Sequence, residues 1–89
     1  WQLPMFPEFA KQIRSKVADI KNIGEGRWGG AITAGKFLEE FVGQASWIHL
    51  DIAGPAFQDE PKAWIDAGGS GAMVQTLVQL AGQLTEGEA

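Results

Sequence analysis

Cysteine is absent from the 89 residues, which removes disulfides, zinc–thiolate sites and thiol catalysis together. The same absence fits a reducing compartment. Positive charge is scarce. Seven Lys and Arg against eleven Asp and Glu leave a net charge of −4, and the basic residues are scattered, with no basic stripe interleaved with aromatics. That pattern excludes a nucleic-acid surface. No apolar run approaches the roughly 20 residues of a membrane span, and no charged-then-apolar leader opens the chain. There is neither an internal repeat nor a low-complexity tract.

What is present is apolar. Hydrophobic residues make up 45%, which excludes an intrinsically disordered chain. The length fits one small domain, which buries only about 60–65% of the surface its unfolded form exposes. Four tryptophans and five phenylalanines each need a large apolar surface to lie against. Trp1, Trp28, Trp47 and Trp64 sit in or beside turn-like sequence, where a small domain has trouble covering them. Covering surface from elsewhere is therefore expected. The chain also opens on Trp1 rather than methionine, as an excised or processed piece of something longer would.

Along the chain, Leu3-Pro4-Met5-Phe6-Pro7 reads as an extended entry, since each proline pushes its predecessor out of helical geometry. Phe6, Phe9, Ala10, Ile13 and Val17 recur at spacings of three and four, which predicts a helix over 7–16. Alternation in Val17-Ala18-Asp19-Ile20-Lys21-Asn22 predicts a short strand, closed by the glycine-punctuated loop from Ile23 to Gly30. From Ala31 a second helix is expected. Its inner flank is Ala31, Ala34, Leu38 and Phe41 with Phe37 and Val42 beside them; Lys36, Glu39 and Glu40 face water, and Gly43 is the stop. Trp47 to Ala53 alternates as a second strand, Ile48, Leu50 and Ile52 on one face and Trp47, His49, Asp51 and Ala53 on the other. Residues 54–69 are expected to be a long loop with a turn around Trp64-Ile65. Ser70 is the expected N-cap of a last helix with the stripe Met73, Leu77, Leu80, Ala81 and Leu84, and residues 85–89 a frayed tail.

Few constellations suggest chemistry. His49 and Asp51 share a strand face, but two ligands are too few for a metal and no nucleophile completes a triad; mutual or backbone satisfaction is the better reading. Gly68-Gly69-Ser70-Gly71 lacks the lysine and spacing of a phosphate loop and reads as a plain helix-start turn. Gly24-Glu25-Gly26 is too short for a dinucleotide fingerprint. Asp59-Glu60 and Glu39-Glu40 are adjacent pairs that diverge on any regular structure. Taken from the residues alone, no catalytic set is present. Small residues beyond the end of an α/β strand, as at Ala53-Gly54-Pro55-Ala56, are where a ligand finds room.

Five blocks carry a family resemblance: Trp-x-Leu-Pro-Met-Phe, Val-Ala-Asp-Ile-Lys-Asn-Ile-Gly, Gly-Ala-Ile-Thr-Ala-Gly-Lys-Phe-Leu, Trp-Ile-His-Leu-Asp-Ile-Ala-Gly-Pro-Ala and Gly-Ser-Gly-Ala-Met-Val-Gln-Thr-Leu. In this order and spacing, from Trp1 to about Leu84, they resemble the C-terminal end of the leucyl aminopeptidase (cytosol aminopeptidase) family. The resemblance implies an α/β fold: a fragment of a mixed-sheet catalytic domain with about three helices and two short strands. It implies a cytoplasmic homo-oligomer, a hexamer, that removes N-terminal amino acids from peptides with two bridged divalent metals (zinc, manganese or magnesium). The family's metal ligands and catalytic arginine lie largely in an Asn-Thr-Asp-Ala-Glu-Gly-Arg-Leu signature. This chain does not contain it, and Glu25-Gly26-Arg27 only echoes its centre. The segment is therefore expected to hold no metal and no catalytic residue. In the family, residues matching Ile23, Ala53 and Ala56 line the pocket for the substrate's first side chain. Ala56 stands where some relatives carry a larger residue, Gln75 where an arginine is common, and Trp28 where a smaller residue precedes Gly-Gly.

Two functional readings follow. One is the C-terminal segment of a metal-dependent leucyl aminopeptidase, supplying scaffold and part of the side-chain pocket and inactive alone. The other is an independently folded, non-catalytic interaction or assembly module derived from that family.

Overall fold

In a computed structural model that describes residues 1–87, the chain divides into two compact units, Trp1–His49 and Leu50–Ala89. In the first, Phe6 is extended at φ −64°, ψ 148° and Pro7 takes the first helical position, where its missing N–H costs nothing. The helix that follows is a 3₁₀ helix, Pro7–Ile13, in place of the α-helix expected over 7–16. At three residues per turn positions i and i+3 eclipse, and Phe6 and Phe9 accordingly stack at 6.0 Å with planes 8° apart. Arg14 is extended and ends it. Ser15 Oγ then accepts the N–H groups of Val17 and Ala18 at 3.2 and 3.0 Å, a local turn that competes with regular structure. The strand expected over 17–22 is not formed. Its one tie to the preceding helix is the Lys21 N–H on the Ile13 carbonyl, at 2.8 Å. Alternation defines a face, but a strand also needs a neighbour to make a ladder.

Helix α1 spans Gly30–Glu39. Gly29 precedes it at φ 68°, ψ 27°, a left-handed geometry that glycine enters without a Cβ penalty. Thr33 fixes that turn, its N–H and Oγ1 both donating to the Gly29 carbonyl at 2.9 and 3.1 Å. Helix α1 packs on the 3₁₀ helix. Ile13, 2% exposed, is the buried hydrophobic side chain among the described residues. The buried positions of α1 are Thr33, Gly35 and Lys36, so the expected inner flank is corrected. Gly35 is buried because Met5 and His49 approach it closely: a Cβ there would lie 3.0 Å from His49 Nδ1 and 3.1 Å from Met5 Cε. Lys36 lays its stem inward and carries its ammonium to Glu39 Oε2 at 3.0 Å, as long cationic side chains do. Leu38 and Phe41, expected inside, are 44% and 68% exposed. Spacing tells which residues share a side of a helix, not which side meets a neighbour. The chain then turns, and Gly43 is left-handed at φ 60°.

The second expected strand, Trp47 to Ala53, makes no ladder either. Its alternation survives at the start, where Trp47 and His49 stack at 6.3 Å and Ile48 is exposed. Further on, the Ala53 N–H turns back to Asp51 Oδ1 at 2.9 Å, an Asx turn that breaks extended pairing. The two strands lie instead within 54–69, the stretch expected to be a loop. They are β1 (Phe57–Gln58) and β2 (Gly68–Gly69), antiparallel with Phe57 opposite Gly69 and Gln58 opposite Gly68. Lys62 and Ile65 exchange N–H···O bonds of 2.8 and 3.3 Å around the tip, beside the turn expected at Trp64-Ile65. Loop chemistry hid this hairpin, because two-residue strands containing Gly-Gly carry no periodicity.

Helix α2 spans Val74–Gly87. Ser70 does not cap it. Met73, left-handed at φ 70°, supplies the first carbonyl, to Leu77 N–H at 2.9 Å. The helix continues past Leu84 into the expected tail, where Thr85 Oγ1 donates to the Ala81 carbonyl at 2.9 Å; residues 88 and 89 lie outside the described residues. No residue of α2 is buried, and its stripe of Leu77, Leu80 and Leu84 is exposed. The predicted class of three helices and two short strands stands, as an α/β fragment, with the strands relocated.

Among the described residues nineteen large hydrophobic side chains are exposed, more apolar surface than a lone domain normally leaves uncovered. The isolated chain at micromolar concentration is expected to self-associate and bind a hydrophobic dye. Sedimentation checks this; a monomer that binds no dye contradicts it.

Candidate functional site

Of the three positions implied to line a side-chain pocket, Ile23 belongs to the first unit. It forms part of the wall of a cleft of about 220 Å³ with Gln12, Asn22, Gly24, Trp28 and Thr33. Its side chain is 74% exposed, so packing does not hold it. Arg27 sits over the Trp28 ring at 4.9 Å, which orients one end of the glycine loop. The cleft offers an apolar wall and amide groups. That composition suits an aliphatic side chain better than a charged one.

Ala53 and Ala56 belong to the second unit, Ala53 exposed and Ala56 half-buried. A tight turn brings them together: the Ala56 N–H donates to the Ile52 carbonyl at 2.9 Å. Ser70 staples this turn from the far end of the hairpin. Its N–H donates to the Ala56 carbonyl at 2.8 Å, its hydroxyl donates to the Pro55 carbonyl, and the same oxygen accepts the Ala72 N–H at 3.2 Å. The β1–β2 pairing continues the staple by two residues. The residues from Gly68 to Gly71, read from sequence as a helix-start turn, thus act as the clasp of the alanine turn. Its sequence signal was the hydroxyl at Ser70, which the capping rule pointed the wrong way along the chain.

His49 and Asp51 are occupied locally. His49 stacks on Trp47 and abuts Gly35, and Asp51 Oδ1 takes the Ala53 N–H. Among the described residues no three His, Asp or Glu side chains stand together as a metal donor set. No helix among the described residues is long and apolar enough to cross a membrane.

The sequence model of the cytosol aminopeptidase family, catalytic domain, matches residues 1–78. The chain belongs to the cytosol aminopeptidase family. A probable cytosol aminopeptidase of Rhodopirellula baltica is 65% identical over 79 residues, covering 89% of this chain and 16% of the relative. Those of Alkaliphilus metalliredigens and Desulforapulum autotrophicum are 52% and 56% identical over 81 residues, again covering 16% of each relative. The chain thus spans about one sixth of the length of the curated relatives it matches. Ile23, Ala53 and Ala56 all fall within the stretch that the family's catalytic-domain model covers.

The staple at Ser70 has a measurable consequence. Ser70→Ala leaves the Pro55 carbonyl without its partner, a loss of about 0.5–1.5 kcal/mol. Hydrogen exchange at the Ala56 amide is expected to rise about threefold to tenfold. Ser70→Thr, which keeps the hydroxyl, is expected to exchange as the parent does. Equal rates in the Ser70→Ala chain contradict the staple.

Proposed function

We propose that residues 1–84 are the C-terminal portion of the catalytic domain of a metal-dependent leucyl aminopeptidase, with 85–89 as its tail. The complete enzyme, in this reading, is a cytoplasmic homo-oligomer, a hexamer as the resemblance implies, that releases N-terminal amino acids from peptides. The observation that carries the reading is the match to the family's catalytic-domain model over residues 1–78, together with coverage of only 16% of relatives bearing that name.

The division of labour follows from the residue types. Hydrolysis by this family's logic needs two metals to polarise the scissile carbonyl and generate hydroxide, and the acidic signature that holds them is missing from this sequence. Zinc, manganese or magnesium therefore belongs with the rest of the chain. What remains for this segment is shape. Ile23 offers an apolar wall within the first unit, and Ala53 and Ala56 leave room within the second, which suits the side-chain-lining role that the resemblance implies for each of them in the complete enzyme. The rival reading, a self-sufficient interaction module, fits poorly with nineteen large hydrophobic side chains exposed among the described residues, because a module that folds alone leaves less apolar surface uncovered.

Two measurements test this. The 89-residue chain alone is expected to leave leucine amides intact with or without zinc or manganese; turnover abolished by a chelator contradicts the proposal. In the full-length enzyme, Ala53→Phe or Ala56→Phe is expected to lower the ratio of kcat/KM on leucyl over alanyl substrates by about tenfold or more while metal content holds, because a filled pocket penalises the larger side chain. An unchanged ratio in a folded, metal-loaded variant makes these alanines scaffold only.

A further inference from the structure

The loop between Ile23 and helix α1 carries two large side chains, Arg27 and Trp28, between two left-handed glycines. Gly26 and Gly29 have φ of 71° and 68°, and a Cβ on either would meet nothing within 4 Å. Glycine serves both positions for the turn of the backbone, not for room. The turns bring Trp28 to the cleft of about 220 Å³ in the first unit, of which it forms one wall. The Arg27 guanidinium lies 4.9 Å from the centre of the indole and occupies one face of it. The ring is otherwise open, with Trp28 75% exposed. Elsewhere the cleft is already tight. A Cβ at Gly24 would lie 2.8 Å from Gln12 Oε1 and 2.8 Å from Thr33 Cγ2, and Thr33 is 6% exposed with its hydroxyl on the Gly29 carbonyl. Trp28 is therefore the wall whose size can change without disturbing packed groups. None of the lining residues carries a charge, and the neighbouring Glu25 is paired with Lys21 at 3.2 Å. Pockets for whole small molecules run to roughly 300–1,000 Å³. This cleft is smaller, on the scale of one side chain.

We propose that this cleft takes one uncharged side chain of the peptide substrate, and that Trp28 sets how large that side chain can be. An aliphatic group of leucine size fits beside the indole, whereas an aromatic ring competes with it for the same room. The proposal rests on the reading of the chain as part of a peptidase catalytic domain, and it concerns a residue to which the family resemblance assigns no role. The side chains on either side of the scissile bond share the chemistry that the cleft selects, so the experiment varies both.

The full-length enzyme is assayed on two pairs of dipeptides: Leu-Ala against Phe-Ala, which varies the first residue, and Ala-Leu against Ala-Phe, which varies the second. Trp28→Ala is expected to raise the ratio of kcat/KM for the aromatic over the aliphatic member by about tenfold in one pair and to leave the other pair within about twofold. The pair that responds identifies the side chain that the cleft holds. Trp28→Phe, which keeps a ring at the wall, is expected to raise the same ratio by about threefold or less. If Trp28→Ala does not fold, Trp28→Leu is measured in its place, with a rise of about fivefold expected. Ratios unchanged in both pairs, or shifted equally in both, in a folded and metal-loaded variant overturn the role of Trp28 and leave the peptidase reading standing. A variant that loses thermal stability at unchanged ratios shows that the rest of the enzyme covers the indole, which overturns that role equally. No metal-dependent dipeptide turnover by the full-length parent overturns the peptidase reading, and this inference with it.

Discussion

Apolar surface without a neighbour is the constraint on which everything else here depends. Each element of this chain is half of an interface. Helix α2 presents leucines at helical spacing with no buried residue of its own. Helix α1 buries Thr33, Gly35 and Lys36 and leaves Leu38 and Phe41 in water. The alternating stretches at 17–22 and 47–53 have the composition of strands and no ladder. A hydrophobic face contributes stability only when it is removed from water, at roughly 25 cal/mol per Å² of apolar area. The elements in hand are thus held mainly by hydrogen bonds: local ones in the serine turn at Ser15, at the threonine that starts α1 and in the Asx turn at Asp51, and the longer clasp of Ser70 on Pro55.

That balance explains what could be read from the sequence. Helical spacing found where all three helices lie, because it is a local property, but not that the first is a 3₁₀ helix ending at Ile13. Strand pairing is not local. The alternation of Trp47 and His49 is real, as their stacking shows, yet the hydrogen bonds that make a strand come from a neighbour. The pairing that did form, Phe57–Gln58 with Gly68–Gly69, was illegible because glycines carry no side-chain period and read as punctuation. Which side of α1 faces inward was illegible for a related reason. Lys36 and Thr33 look like solvent residues by type, and only the approach of the entry segment to Gly35 turns their side inward.

The proposed pocket residues show the same split. Ile23, Ala53 and Ala56 were named by resemblance, and their side chains alone say little. The structure adds the scaffold that fixes each one: Gln12 and Thr33 behind the Ile23 loop, Ser70 behind the alanine turn. At Gly24 the small residue occupies a close approach, because a Cβ there would meet Thr33.

The central claim is that the rest of a family-length chain covers the apolar face of α2. Amide hydrogen exchange across Val74–Gly87, compared between the 89-residue chain and the same segment within the full-length enzyme, tests it most directly. The account predicts exchange slower by about a hundredfold or more in the full-length enzyme, as expected when an uncovered helix becomes part of a packed core. Equal exchange in the two contexts would contradict it, and would mean that this helix has no neighbour in the complete protein.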